Sequence, residues 1–110
     1  MAYCTNLDVL AIVDTDITPA EIDDLIDRTD VRIDMRINSG AANALFLEDL
    51  SATWTSLRCM LKDPNARGLG QYNENRGVTM RMLKEEIDDM LELAGGGIAF
   101  TAASESLGDD

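Results

Sequence analysis

Residues 18–37 read TPAEIDDLIDRTDVRIDMRI, and this stretch decides the fold. Thr18 offers a side-chain oxygen to the free amides of a first helical turn, Pro19 has the backbone angle of a first helical position, and Glu21 stands three residues after the cap. Successive helical residues turn by about 100°, so Ile22, Leu25, Ile26, Thr29, Ile33 and Ile37 share one stripe that faces a core. Asn38-Ser39-Gly40 supplies the stop. The expectation is an all-α protein, a small four-helix bundle over residues 1–97 with an extended C-terminal arm and tail over 98–110.

Upstream, Thr5 followed by Asp8 resembles a capping box, and a short helix through Val13 would bury Leu7, Leu10 and Ala11 before Asp14-Thr15-Asp16 breaks it. Downstream, a third helix from about Ala44 to Lys62 places Phe46, Leu47, Leu50, Trp54, Leu57 and Leu61 on one face, with Glu48, Ser51, Thr55 and Lys62 opposite. Asp63-Pro64-Asn65 ends it, because proline disfavours helical geometry in the residue before it. Arg67 to Arg76, rich in Gly, Asn and Gln, reads as an exposed loop. A fourth helix from near Thr79 carries Met80, Leu83, Ile87, Met90, Leu91 and Ala94 on its apolar face, and Gly95-Gly96-Gly97 ends it as a hinge. Beyond the hinge, Ile98 to Ala103 is a short apolar run, suited either to docking elsewhere or to folding back over the bundle.

The chain has 110 residues, room for one domain with a modest core, and only 5% aromatics, so that core is built from aliphatic side chains. Twenty-one acidic residues against nine basic ones give a formal charge of −12, a field that repels the phosphate backbone and argues against binding along nucleic acid. Fourteen of the acids are Asp, and only Lys62 and Lys84 are lysines. Short, well-hydrated carboxylates in this excess point to a protein that works in concentrated salt; the alternative is an ordinary acidic surface. Cys4 and Cys59 lie far apart and read as free thiols. With no leader-like N-terminus and no run of about 18 apolar residues, a soluble protein is expected.

The chain has no His, which removes the commonest acid–base group, nucleophile activator and metal ligand. Asp14-Thr15-Asp16 and Gly108-Asp109-Asp110 lack the spacing of a calcium loop, and Gly68-Leu69-Gly70 lacks the remainder of a phosphate-binding loop. No enzymatic activity, cofactor or metal is expected. The second helix is more informative. Asp23, Asp27, Asp30 and Asp34 line one flank, Arg28, Arg32 and Arg36 line the other, and Val31 and Met35 lie between the rows, away from the core. Such a face fits the same helix of an identical neighbour placed head to tail, a contact that closes into rings. A solvated helix with intrahelical pairs such as Asp24 with Arg28 is the other reading.

The order of these features resembles the small head-tail connector proteins, also called adaptors or head-completion proteins, of tailed phages and archaeal tailed viruses. The residues that carry the resemblance are the opening Met1-Ala2-Tyr3-Cys4-Thr5-Asn6-Leu7-Asp8, then Thr18 to Ile26 followed by Val31-Arg32-Ile33-Asp34, a third helix ending in Asp63-Pro64, and the Gly70-Gln71-Tyr72 loop before a final helix and arm. The resemblance implies a virion protein of the neck, assembled in the host cytoplasm. Twelve copies would form a ring beneath the portal, around a channel through which DNA slides without specific binding. It also implies that the ring meets the next neck or tail-completion protein, and that Ile98 to Ala103, including Ile98, Phe100 and Ala102, docks on the portal or a neighbouring ring. Arg67, Tyr72 and Arg76 are candidate loop contacts. The reading from another class is a small acidic binding module such as a DNA-mimicking inhibitor or regulator; such a mimic needs an unbroken acidic face, which the arginine row interrupts.

The salt reading makes a direct prediction. In a circular dichroism titration, helicity and melting temperature should rise from low to molar salt as screening shrinks self-repulsion to about 3 Å, and a flat response removes the halophilic reading.

Overall fold

The structure, a computed structural model, describes residues 2–38, 40 and 42–96. Thr5 opens helix α1 (Asn6–Leu10) as a closed capping box: its hydroxyl accepts the Asp8 amide, and the Asp8 carboxylate accepts the Thr5 amide at 2.9 Å. The helix stops at Leu10 instead of running to Val13, because Val13 and Asp14 are extended as strand β1. β1 pairs antiparallel with strand β2 (Arg67–Gly68), with Val13 opposite Gly68 and Asp14 opposite Arg67. The expected burial of α1 is also corrected. Leu7 is 74% exposed and Ala11 is exposed, whereas Val9 and Val13 are fully buried, since this short turn meets its neighbours through the Val9 side.

Helix α2 (Pro19–Arg36) starts where the sequence places it and buries Ile22, Leu25, Ile26, Thr29 and Ile33, with Asp30 among them. Helix α3 (Ala44–Lys62) is capped by Asn43, whose side chain accepts the Leu45 amide at 2.8 Å. Helix α4 (Arg76–Leu91) begins at Arg76 rather than near Thr79, because Asn75 caps it by accepting the Val78 amide at 3.0 Å. A π-helical turn, Glu92–Gly96, follows, so the described chain ends within the glycines read as a hinge. Among the described residues the chain is mostly helical, with four α-helices and one two-stranded ribbon.

The two-faced reading of α3 holds for Phe46, Leu47, Leu50, Trp54, Leu57, Glu48 and Lys62 and fails at three residues. Ser51 and Thr55, expected on the polar side, are fully buried, and Leu61, expected in the core, is 65% exposed. α3 is the central helix: α1, α2 and α4 all pack on it, and its buried residues include Ser51, Ala52, Thr53, Thr55 and Ser56. These side chains are small enough for neighbours to approach closely, so hydroxyls that look like a wet face line packed surfaces. Ser56 donates back to the Ala52 carbonyl at 2.7 Å, while Thr29 and Thr55 bury hydroxyls with no hydrogen-bond partner among the described residues.

Apolar packing forms two clusters along α3. Val9, Val13, Ile22, Ile26, Met60 and Leu83 belong to the first, and Ile33, Ile37, Leu47, Leu50, Ile87 and Leu91 make the second. The pairing of late α2 and late α4 residues with early α3 residues shows that α2 and α4 both run antiparallel to α3. Each fully buried aliphatic side chain contributes roughly 1.5–3 kcal/mol.

The segment 67–76 is largely exposed, as expected, but it is tied down at particular residues. Gly68 and Tyr72 are buried, Gly70 takes a left-handed φ of 58°, and a 3-10 turn (Gly70–Tyr72) leads to Thr79, whose hydroxyl donates to the Tyr72 carbonyl at 2.7 Å. Arg76 reaches back across the end of α3 and donates to the carbonyls of Met60, Asp63 and Ala66. Those carbonyls lie at and just beyond the end of α3, where backbone acceptors lack helical partners, and a guanidinium satisfies several at once.

A Cβ at Gly68 would lie 2.2 Å from the Tyr72 carbonyl oxygen and 2.8 Å from a Thr79 methyl, whereas at Gly77 its nearest neighbour would be 3.6 Å away. Gly68→Ala should therefore cost about 1–3 kcal/mol or more. Gly77→Ala should be neutral or stabilising by up to about 1 kcal/mol. Urea unfolding of both variants measures this, and equal effects would contradict the close ribbon contact.

Candidate functional site

The outward face of α2 keeps the pattern read from the sequence, with one exception. Val31 is 58% exposed and Met35 is 79% exposed, and Arg28, Arg32 and Arg36 are exposed along one side. Arg28 pairs with Asp24 one turn earlier at 3.0 Å, with both side chains well exposed. On the other side Asp23, Asp27 and Asp34 are exposed, but Asp30 is only 6% exposed and leaves the row.

Asp30 instead joins three parts of the chain. One carboxylate oxygen accepts the Ser51 hydroxyl of α3 at 2.6 Å, and the other accepts the Tyr3 amide at 2.8 Å. The Cys4 sulfur lies 3.3 Å from the same Ser51 oxygen. Around this node the acidic row holds the N-terminal segment: Asn6 donates to Asp23 at 3.0 Å, and the Tyr3 hydroxyl donates to Asp34. The sequence carried a signal for Asp30, which follows Ile26 by four and precedes Ile33 by three, both spacings that keep it on the buried stripe. Burial pushes the Asp30 carboxyl above the usual aspartate range, opposed by the donors Ser51 and Tyr3, with Asp27 and Asp34 raising it further.

On the arginine side, α2 and α3 form a groove of about 410 Å³ lined by Leu25, Arg32, Trp54, Arg58, Leu61 and Lys62. Lys62 also pairs with Glu21 at 3.1 Å. Burial, with Arg32 and Arg28 nearby, lowers the Arg58 guanidinium from its usual value. Sequence reasoning placed Trp54 in the core and gave Arg58 no role, although Trp54, Arg58 and Leu61 recur at spacings of four and three along one side of α3.

The remaining candidates fall elsewhere. Arg67 is exposed, 3.6 Å from Asp14 across the ribbon. Tyr72 is buried and its hydroxyl donates to Glu86 at 2.6 Å; burial and that acceptor push the phenol up to about 12. Arg76 is occupied by backbone carbonyls. Tyr72 and Arg76 thus hold the connection together and are not free loop contacts. Ile98, Phe100 and Ala102 lie outside the described residues.

Both cysteines are free and buried, and burial pushes each thiol up to about 11. Among the described residues, no group of three or more His, Cys, Asp or Glu side chains is placed to hold a metal ion, and no helix is long and apolar enough to cross a membrane. No family model, curated protein or solved structure matches the chain.

The Asp30 node has a signed pH dependence. Because its folded value lies above that of an exposed aspartate, folding takes up protons between the two values, and the contribution of Asp30 falls as pH rises through that window. Asp30→Asn leaves one buried donor without an acceptor and should cost about 1–3 kcal/mol at neutral pH. The deficit relative to the native chain should be larger near pH ~4 and narrow as pH rises. Urea unfolding across this range measures it, and a deficit that widens with pH would contradict the assignment.

Proposed function

We propose that the chain is a structural subunit of a viral neck. In this reading the four helices close as a bundle over residues 1–97, with 98–110 as an extended arm. Copies assemble side by side into a ring that joins the capsid portal to the tail and lines the genome channel.

The observation that carries the reading is the outward face of α2, where exposed Val31 and Met35 lie between Arg28, Arg32 and Arg36 on one side and Asp23, Asp27 and Asp34 on the other. A face of opposite rows lets one copy's arginines meet the next copy's aspartates, and the ring reading takes that contact head to tail. A heterologous contact of that kind forms a ring when its rotation brings the last copy back to the first. Burying Met35 in it contributes at most roughly 1.5–3 kcal/mol before the costs of association, and Val31, already part-covered, less. Specificity then comes from the charge rows.

A net charge of −12 suits a channel lining that DNA passes without sticking. It also suits a DNA mimic, but the inward turn of Asp30 and the five cations Arg28, Arg32, Arg36, Arg58 and Lys62 break up a continuous phosphate-like acidic face on α2 and α3.

Light scattering in molar salt, alone and with the cognate portal, tests the reading. The native chain should reach the mass of a ring at high concentration or on the portal. Met35→Glu combined with Arg36→Glu should abolish that mass while leaving helicity unchanged. A chain that stays monomeric and ignores the portal overturns the proposal.

A further inference from the structure

The groove between α2 and α3 is basic on a strongly acidic chain, and its walls ask for a ligand of two characters. Leu25, Trp54 and Leu61 supply apolar surface, with Leu61 65% exposed, while Arg32, Arg58 and Lys62 supply positive charge. Among the described residues neither Arg32 nor Arg58 has an ion-pair partner, although the chain holds 21 carboxylates. Like charges crowded at a partly desolvated site reward an incoming anion.

We propose that residues 98–110 of the same chain dock in this groove. Their sequence, IAFTAASESLGDD, has the matching two characters: Ile98, Phe100 and Leu107 are apolar, Glu105, Asp109 and Asp110 are anionic, and no basic residue is present. The described chain stops at Gly96, just past Ala94, and Ala94 and Trp54 border the same apolar cluster. Thirteen extended residues reach at most about 43–47 Å, so the anionic end, Glu105 to Asp110, is within range of a groove on a structure 39 Å in its longest dimension. A tethered segment meets its groove at an effective concentration on the order of millimolar, which favours the segment of the same chain over that of a second copy in dilute solution. The docked state is that of the free monomer, and the extended arm of the ring reading is the same segment once released on assembly. The ring test uses Met35 and Arg36, neither of which lines the groove, so the two can fail separately.

Trp54 is the single tryptophan and reports on the groove directly. Acrylamide quenching of the full chain should be compared with a chain ending at Gly97, both folded by circular dichroism and monomeric by light scattering. Removal of 98–110 should raise the quenching constant roughly twofold, as a half-covered indole loses its cover. Synthetic peptide 98–110 should reverse the rise in the shortened chain. In the full chain, Arg58→Glu should reproduce the rise without shortening. Equal quenching in the full, shortened and Arg58→Glu chains overturns the proposal. Protection that appears only as the mass doubles also overturns it, by assigning the groove to a second copy.

Discussion

Apart from Trp54, which faces the groove, the middle of α3 is made of residues too small to hold neighbours apart. Ser51, Ala52, Thr53, Thr55 and Ser56 are all buried, and they let α1, α2 and α4 approach one helix from several sides. With 5% aromatics the chain has few large side chains to span gaps, so close backbone approach replaces bulk as the means of filling the interior. The cost is polar atoms inside. Ser51 and Ser56 answer it with hydrogen bonds, to Asp30 and to the Ala52 carbonyl, and Thr29 and Thr55 do not among the described residues.

That constraint accounts for the Asp30 node. A serine placed in the core needs an acceptor, and Asp30 on the buried stripe of α2 provides one while its second oxygen takes the Tyr3 amide. A buried carboxylate is expensive unless its oxygens are matched by donors, so the N-terminal segment is held where it can supply one. The node fixes three segments by polar geometry, whereas the surrounding aliphatic contacts would tolerate small slides along the helices.

How much was legible follows from what each signal measures. The α2 start and stripe read correctly because a Thr-Pro-x-Glu opening and a regular aliphatic period are both local. α3 is legible in its aliphatic stripe but not at Ser51 and Thr55, because periodicity counts hydroxyl residues as polar, and a central helix with small residues is buried beyond that stripe. The ribbon was missed because two paired residues on each side, Val13-Asp14 with Arg67-Gly68, leave no alternation to detect. Gly68 and Arg76 looked like loop residues, yet one is fixed by a backbone contact and the other by carbonyls at the end of α3. Both depend on tertiary approach that no spacing encodes. On the candidate face, Val31 and Met35 were legible as outward residues, and the groove was not, because it forms only where two antiparallel helices bring Arg32 beside Arg58.

Stability does not account for the distribution of charge. The four ion pairs among the described residues all have side chains at least 51% exposed, and such pairs contribute little, about 0–1 kcal/mol each. Removing any of them would barely change folding, so their placement is not what keeps Arg28, Arg32, Arg36, Arg58 and Lys62 together on α2 and α3. In molar salt, screening to about 3 Å also erases long-range steering. What survives is direct contact: a carboxylate touching a guanidinium, with apolar surface beside it to exclude water. The α2 face places Val31 and Met35 next to its arginines, and the groove places Trp54 and Leu61 next to Arg32 and Arg58. In both places charge sits against exposed apolar surface, the arrangement in which an ion pair gains strength from dehydration and the apolar contact gains direction from the charge.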